Sequence, residues 1–81
     1  MVCGDVEVKI DLKSNDLALF IQKASRYKAD VFVKKGELKA NAKSLLGLLS
    51  LRITINDKVT LLADGSDANE AIEGLKEYLQ S

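Results

Sequence analysis

Between Leu12 and Leu17 the spacing of apolar side chains changes from every second position to every third or fourth. Val2, Val6, Val8, Ile10 and Leu12 lie at even positions, with Asp5, Glu7, Lys9 and Asp11 between the later ones. That alternation predicts a half-buried strand over residues 2–12. Leu17, Phe20, Ile21 and Ala24 then share one helical face, so an amphipathic helix follows and ends near Tyr27. Ser14, Asn15 and Asp16 are its candidate N-caps.

The same change of period recurs downstream. Ala29 to Val33 favours a strand, Lys35-Gly36-Glu37 a hairpin turn, and Leu38 to Ala42 the returning arm. Leu45-Leu46-Gly47-Leu48-Leu49-Ser50-Leu51 is too short to classify by period, and its leucines favour helix. Gly47 weakens that helix by about 1 kcal/mol relative to alanine. Residues 53–60 fit either a hairpin turning at Asn56-Asp57 or an irregular link into a single strand. Lys58 to Ala63 is strand-like and is closed by Asp64-Gly65. Ser66 or Asp67 caps a last helix, on which Ala68, Ala71, Ile72, Leu75 and Leu79 align. The order is β-α-β-β-α-β-α, and hairpin-like strands interleaved with helices predict an antiparallel sheet covered on one face.

Composition excludes several functions. The 81 residues, 47% apolar and 30% charged, fit one domain over 1–81. A chain this short buries roughly 60% of its unfolded surface. Twelve basic residues balance twelve acidic ones, which argues against nucleic-acid or membrane binding driven by bulk charge. There is no histidine, so the commonest proton shuttle and metal ligand is missing. Cys3 is the only cysteine and reads as a packed or idle thiol. Neither a signal peptide nor an apolar run of about 20 residues is present, so a cytoplasmic protein is expected, with no metal and no cofactor.

Ala24-Ser25-Arg26-Tyr27-Lys28-Ala29-Asp30-Val31 and Asn41-Ala42-Lys43-Ser44-Leu45-Leu46-Gly47-Leu48-Leu49-Ser50-Leu51 resemble the HPr family, the small phosphocarriers of the sugar phosphotransferase system. The stretch from Lys43 to Leu51 is similar to that family's regulatory-serine helix, and Ala63-Asp64-Gly65 with Asp67 to Ala71 to the entry of its last helix. The resemblance spans about residues 2–80 and implies an α+β fold: an open-faced β-sandwich of four antiparallel strands covered on one face by three helices.

The carrier motif has changed. Where the family has a histidine, an arginine two residues on and then a proline, this sequence has Lys13, Asn15 and Asp16. A neutral imidazole can accept and release a phosphoryl group near pH 7. Lysine amines ionise near about 10.4 and lack a free lone pair there. Asparagine cannot grip phosphate bidentately as arginine does, and an aspartate repels it. Histidine-type phosphocarrier chemistry is therefore not expected, nor is the chain expected to be an enzyme.

Ser44 is the remaining candidate. By itself it reads as a helix N-cap. The resemblance adds a regulatory phosphorylation site that alters partner choice. A phosphate there would place a charge of about −1.5 to −2 beside Leu45, Leu46 and Leu49. One stripe of a helix can be buried, so one or two of the leucines are expected to be exposed as a docking surface. The implied partners are a serine kinase/phosphorylase and a transcriptional repressor of sugar catabolism. Catabolite-repression HPr-like proteins, which lack the carrier histidine and keep the serine, are the nearest functional model. Asn15 departs from it, replacing an arginine that helps organise a phosphoserine interface. Two alternatives stand beside this one: a divergent phosphocarrier using Lys13 or another residue, and a paralogue that keeps the fold and has lost its pathway contacts.

Overall fold

The computed structural model describes residues 1–81, the side chain of Ser14 excepted. Its elements are β1 (Val2–Glu7), α1 (Ser14–Ser25), β2 (Asp30–Lys35), β3 (Leu38–Asn41), α2 (Leu45–Leu51), β4 (Lys58–Asp64) and α3 (Ala68–Gln80). They form a four-stranded antiparallel sheet in the order β1-β4-β2-β3, with the helices packed on one face. The fold class and element order follow the sequence expectation.

Alternation decides which face each strand side chain serves. Val6, Val59, Leu61, Ala63, Val31, Val33 and Ala40 point under the helices and are buried. Leu17, Phe20 and Ala24 of α1, Leu48 and Leu51 of α2, and Ala71, Ile72, Leu75 and Leu79 of α3 close the core from above. β4 is central in space although it is the last strand in sequence. It pairs with β1 from Val2↔Ala63 to Glu7↔Lys58, and with β2 from Asp30↔Asp64 to Lys34↔Thr60.

Two boundaries differ from the sequence reading. β1 stops at Glu7, not at residue 12. Val8 still exchanges hydrogen bonds with Asn56 and Asp57, while the Lys9 amide turns away to the Leu79 carbonyl at 2.8 Å. Helix α1 takes Lys13 as its N-cap, so Ser14, Asn15 and Asp16 form its first turn rather than precede it. Of the two forms open to residues 53–60, the irregular link is the one adopted: the Asp57 carboxylate accepts the Thr54 amide at 2.8 Å, and Asn56 adopts φ +75°. The hairpin at Gly36 forms as expected, with Lys35 paired to Leu38 and Gly36 at φ +61°.

Asp67 shows why a capping residue can serve another purpose. It occupies the N-cap position of α3 without a side-chain cap bond. Its two carboxylate oxygens instead accept the amides of Lys28 and Ala29, each at 2.8 Å. This ties the turn before β2 to the start of α3. Gly65, at φ +153°, allows the approach: a Cβ there would stand 2.6 Å from the Ala29 Cα.

The Lys28 amide, and with it that of Ala29, holds the Asp67 carboxyl below the ordinary aspartate value. A depressed folded-state value stabilises the protein above the unfolded value of about 3.9 and is lost as pH falls through the folded one. Asp67→Ala is therefore expected to lower stability at pH 7. In urea titrations at pH 7 and pH 3, the gap between native and variant should narrow at the lower pH. An unchanged gap would show that the carboxylate charge contributes nothing.

Candidate functional site

The β3–α2 junction is built by short-range hydrogen bonds. The Asn41 side chain accepts the Lys43 amide at 2.8 Å, and the Ser44 amide reaches the Asn41 carbonyl at 3.0 Å. Ser44 then sits at φ −112°, ψ 115°, an extended conformation suited to an N-cap. Its Oγ accepts the Gly47 amide at 3.2 Å. The capping expectation is met directly.

Gly47, which reads in the sequence as a local weakness, has a structural reason. A Cβ at this position would lie 3.3 Å from Ala40 Cβ and 3.3 Å from Ser44 Oγ. Its absence lets α2 lie close on β3 and leaves space beside the serine oxygen. The other end of α2 is fixed by Arg52, left-handed at φ 50°. The Lys35 ammonium donates to the Arg52 carbonyl at 2.7 Å and pairs with Asp57 at 2.8 Å. That hydrogen bond from Lys35, with the Thr54 amide, holds the Asp57 carboxyl below its usual range. Lys35 thus joins the hairpin to the end of α2, a bridge that the Lys35-Gly36-Glu37 turn signal does not reveal.

The leucines divide as a helix requires. Leu48 and Leu51 are buried. Leu45, Leu46 and Leu49 are 45%, 82% and 48% exposed, one more outward leucine than a single stripe predicts. Leu49 also borders a small groove with Leu12, Leu17, Leu48, Arg52 and Ile53, which carries the apolar surface toward the start of α1. None of the residues of α2 is charged.

Lys13, Asn15 and Asp16 gather at the N-terminus of α1 as the sequence places them. The Lys13 side chain is 79% exposed, and its ammonium lies 3.5 Å from the Asp11 carboxylate. Burial, the usual means of freeing a lysine amine for attack, is absent. Asn15 is exposed, and the Asp16 carbonyl accepts the Tyr78 hydroxyl at 3.0 Å. Burial and the Asp16 charge raise the Tyr78 ionisation above its ordinary value. Among the described residues no group of His, Cys, Asp and Glu is placed to hold a metal ion. Among the described residues no helix is long and apolar enough to cross a membrane.

An open antiparallel sheet under three helices, with Lys13 at the start of α1 and a capping Ser44 at the start of α2, defines a class. The family model described as the PTS HPr component phosphorylation site matches residues 5–81, and the chain belongs to the HPr family. It is 45% identical to the HPr-like protein Crh of Bacillus subtilis (strain 168) over 76 residues, covering 94% of this chain and 89% of that protein. The HPr-like protein Crh of Halalkalibacterium halodurans is 38% identical, with 94% and 90% covered. Among solved structures, the phosphocarrier protein HPr of Bacillus anthracis str. Ames superposes with a TM-score of 0.94 at 41% identity, over 98% of this chain and 96% of that one. The Bacillus subtilis catabolite repression protein Crh superposes at 0.81 with 46% identity, over 99% and 94%.

Removing the cap should be measurable without any partner. Ser44→Ala is expected to cost about 0.5–2 kcal/mol in urea unfolding, and Ser44→Asp to recover most of it. Equal losses in both variants would mean that the Oγ–Gly47 bond does not support α2.

Proposed function

We propose that this chain is a non-catalytic HPr-like regulatory protein that acts in the cytoplasm by binding other proteins, with Ser44 as its switch. One observation supports this above the others: a capped, part-buried serine lies next to three exposed leucines on an uncharged helix. Contiguous exposed apolar surface on a small domain marks a partner site. A phosphoryl group on Ser44 Oγ would set a charge of about −1.5 to −2 at the edge of that surface. It would change which partners dock while leaving Leu48 and Leu51 in the core.

The relatives support a setting in sugar uptake and carbon catabolite control. The proposed partners are a serine kinase/phosphorylase and a transcriptional regulator of sugar catabolism. A Crh structure is described as a domain-swapped dimer, and another as the dimer Crh. Docking through Leu45, Leu46 and Leu49 requires neither arrangement. The exposed Lys13 seat favours this reading over a phosphocarrier that uses the amine. Asn15 supplies no guanidinium to organise a phosphoserine interface, so recognition rests more heavily on the leucines.

The experiment is a pair of labelling reactions. An HPr kinase with ATP should label the native chain and not Ser44→Ala. Phosphoenolpyruvate with the upstream carrier enzyme should leave no acid-labile phosphate on either. A labelled Lys13 would establish the carrier alternative, and no label at Ser44 would remove the switch. Leu46→Ser should change stability by no more than about 0.5 kcal/mol, because the side chain is exposed. The same variant should weaken binding of the kinase by about tenfold or more if Leu46 is a central contact.

A further inference from the structure

The link from α2 to β4 holds two non-glycine residues in the left-handed region, Asn56 at φ +75° and Arg52 at φ +50°. Asparagine enters that region readily, because its short amide side chain bonds to nearby backbone. Arginine has no such compensation, and the end of a helix is where glycine is favoured for a left-handed residue. Strain kept at one residue has to be weighed against what its side chain does.

The helix itself does not need this side chain. The Arg52 amide closes the last turn on the Leu49 carbonyl at 3.2 Å, a bond that glycine would make equally well. A cation favours the carbonyl end of a helix, but the Lys35 ammonium already supplies one, 2.7 Å from the Arg52 carbonyl. Backbone closure and the helix dipole therefore leave the guanidinium without a structural task.

Its surroundings give it another. Arg52 is exposed and borders the groove formed with Leu12, Leu17, Leu48, Leu49 and Ile53. It is the single charged residue of that lining, and the rest is aliphatic. The charges nearby are matched elsewhere: Lys13 lies against Asp11, and Lys35 against Asp57. Asp16 lies toward Tyr78 of α3, whose ionisation its charge raises, and α1 packs against α3 as well as α2. Among the described residues no ion pair uses Arg52.

We propose that Arg52 sets the specificity of the α2 docking surface: it receives a carboxylate that the docking protein, the serine kinase named above, presents beside an aliphatic side chain. This contact rests on the docking role of α2 and adds the chemistry of the partner. A guanidinium grips a carboxylate bidentately, which an ammonium does not. Its aliphatic stem continues the apolar wall while its head stays at the rim. The groove, about 60 Å³, takes the end of one aliphatic side chain. Ser44 caps the opposite end of α2, about 12 Å along the helix axis, so a phosphoryl group there is not the anion that Arg52 meets.

Labelling of the full chain by HPr kinase and ATP tests the contact. Arg52→Gln should raise the KM for labelling of Ser44 about tenfold with kcat unchanged, and Arg52→Lys should recover part of the loss. The ratio of variant to native KM should shrink as salt is added. Arg52→Gly separates this role from a structural one. Its urea midpoint should rise, because glycine adopts φ +50° without strain, while its KM rises as in Arg52→Gln. A native KM in Arg52→Gln would overturn the proposal and leave the Ser44 switch standing. So would a lowered urea midpoint in both Arg52→Gln and Arg52→Gly, which would make Arg52 a support of α2 and nothing more. No labelling of the native chain would remove the switch, and the carboxylate contact with it.

Discussion

β4 is hydrogen-bonded along both edges, and the rest of the molecule depends on that insertion. Without it, β1 has no strand neighbour and the β2–β3 hairpin stands alone. An isolated hairpin is marginal in water. β4 also supplies Val59, Leu61 and Ala63 to the middle of the core, where α3 packs across them. The pairing joins residues far apart in sequence, Val2 with Ala63, so closure entropy must be met before the contacts form. Asp67 then fixes the other long-range seam. Its carboxylate holds two backbone amides nearly 40 residues away in sequence, one of them the amide of buried Ala29.

This organisation explains which parts of the fold were legible in the sequence. Periodicity read the elements well where one face is buried and the opposite face solvated. Ala68, Ala71, Ile72, Leu75 and Leu79 all reach the core, and Gly36 marks the hairpin. Periodicity read the end of β1 poorly because alternation reports the side a residue faces, not whether its amide belongs to a ladder. Ile10 and Leu12 pack against the core from a segment whose backbone has left the sheet. The start of α1 was misplaced because Ser14 to Asp16 have good capping chemistry, while the chain entered the helix one residue earlier at Lys13. Local preference named the capable residues, and tertiary geometry chose among them.

The site was legible in a different measure. Ser44 could be named from the sequence because a cap is a local device, satisfied within three residues by Gly47. The exposure of Leu46 followed from the narrowness of a helical stripe. Lys35 was out of reach: its partners are Arg52 and Asp57, which only the fold brings near the hairpin. Gly47 was misjudged for a similar reason. Its cost to an isolated helix is real, but the contact it permits with Ala40 lies on another element. Residues whose role depends on distant chain segments leave little mark on the local pattern.

Lys13 and Ser44 stand at two helix starts under different structural constraints. Lys13 contributes an exposed side chain and one loose ion pair to its surroundings. Exchanging a side chain in such a place changes chemistry with little effect on stability, since surface substitutions rarely exceed about 0.5 kcal/mol. Ser44 is different. Its hydroxyl supports the first turn of α2, and α2 in turn brings Leu48 and Leu51 into the core. A serine that caps a helix is retained by the fold whatever else it does. The two positions are therefore constrained differently: Lys13 is free to vary at the surface, and Ser44 is held by what its oxygen does for the helix.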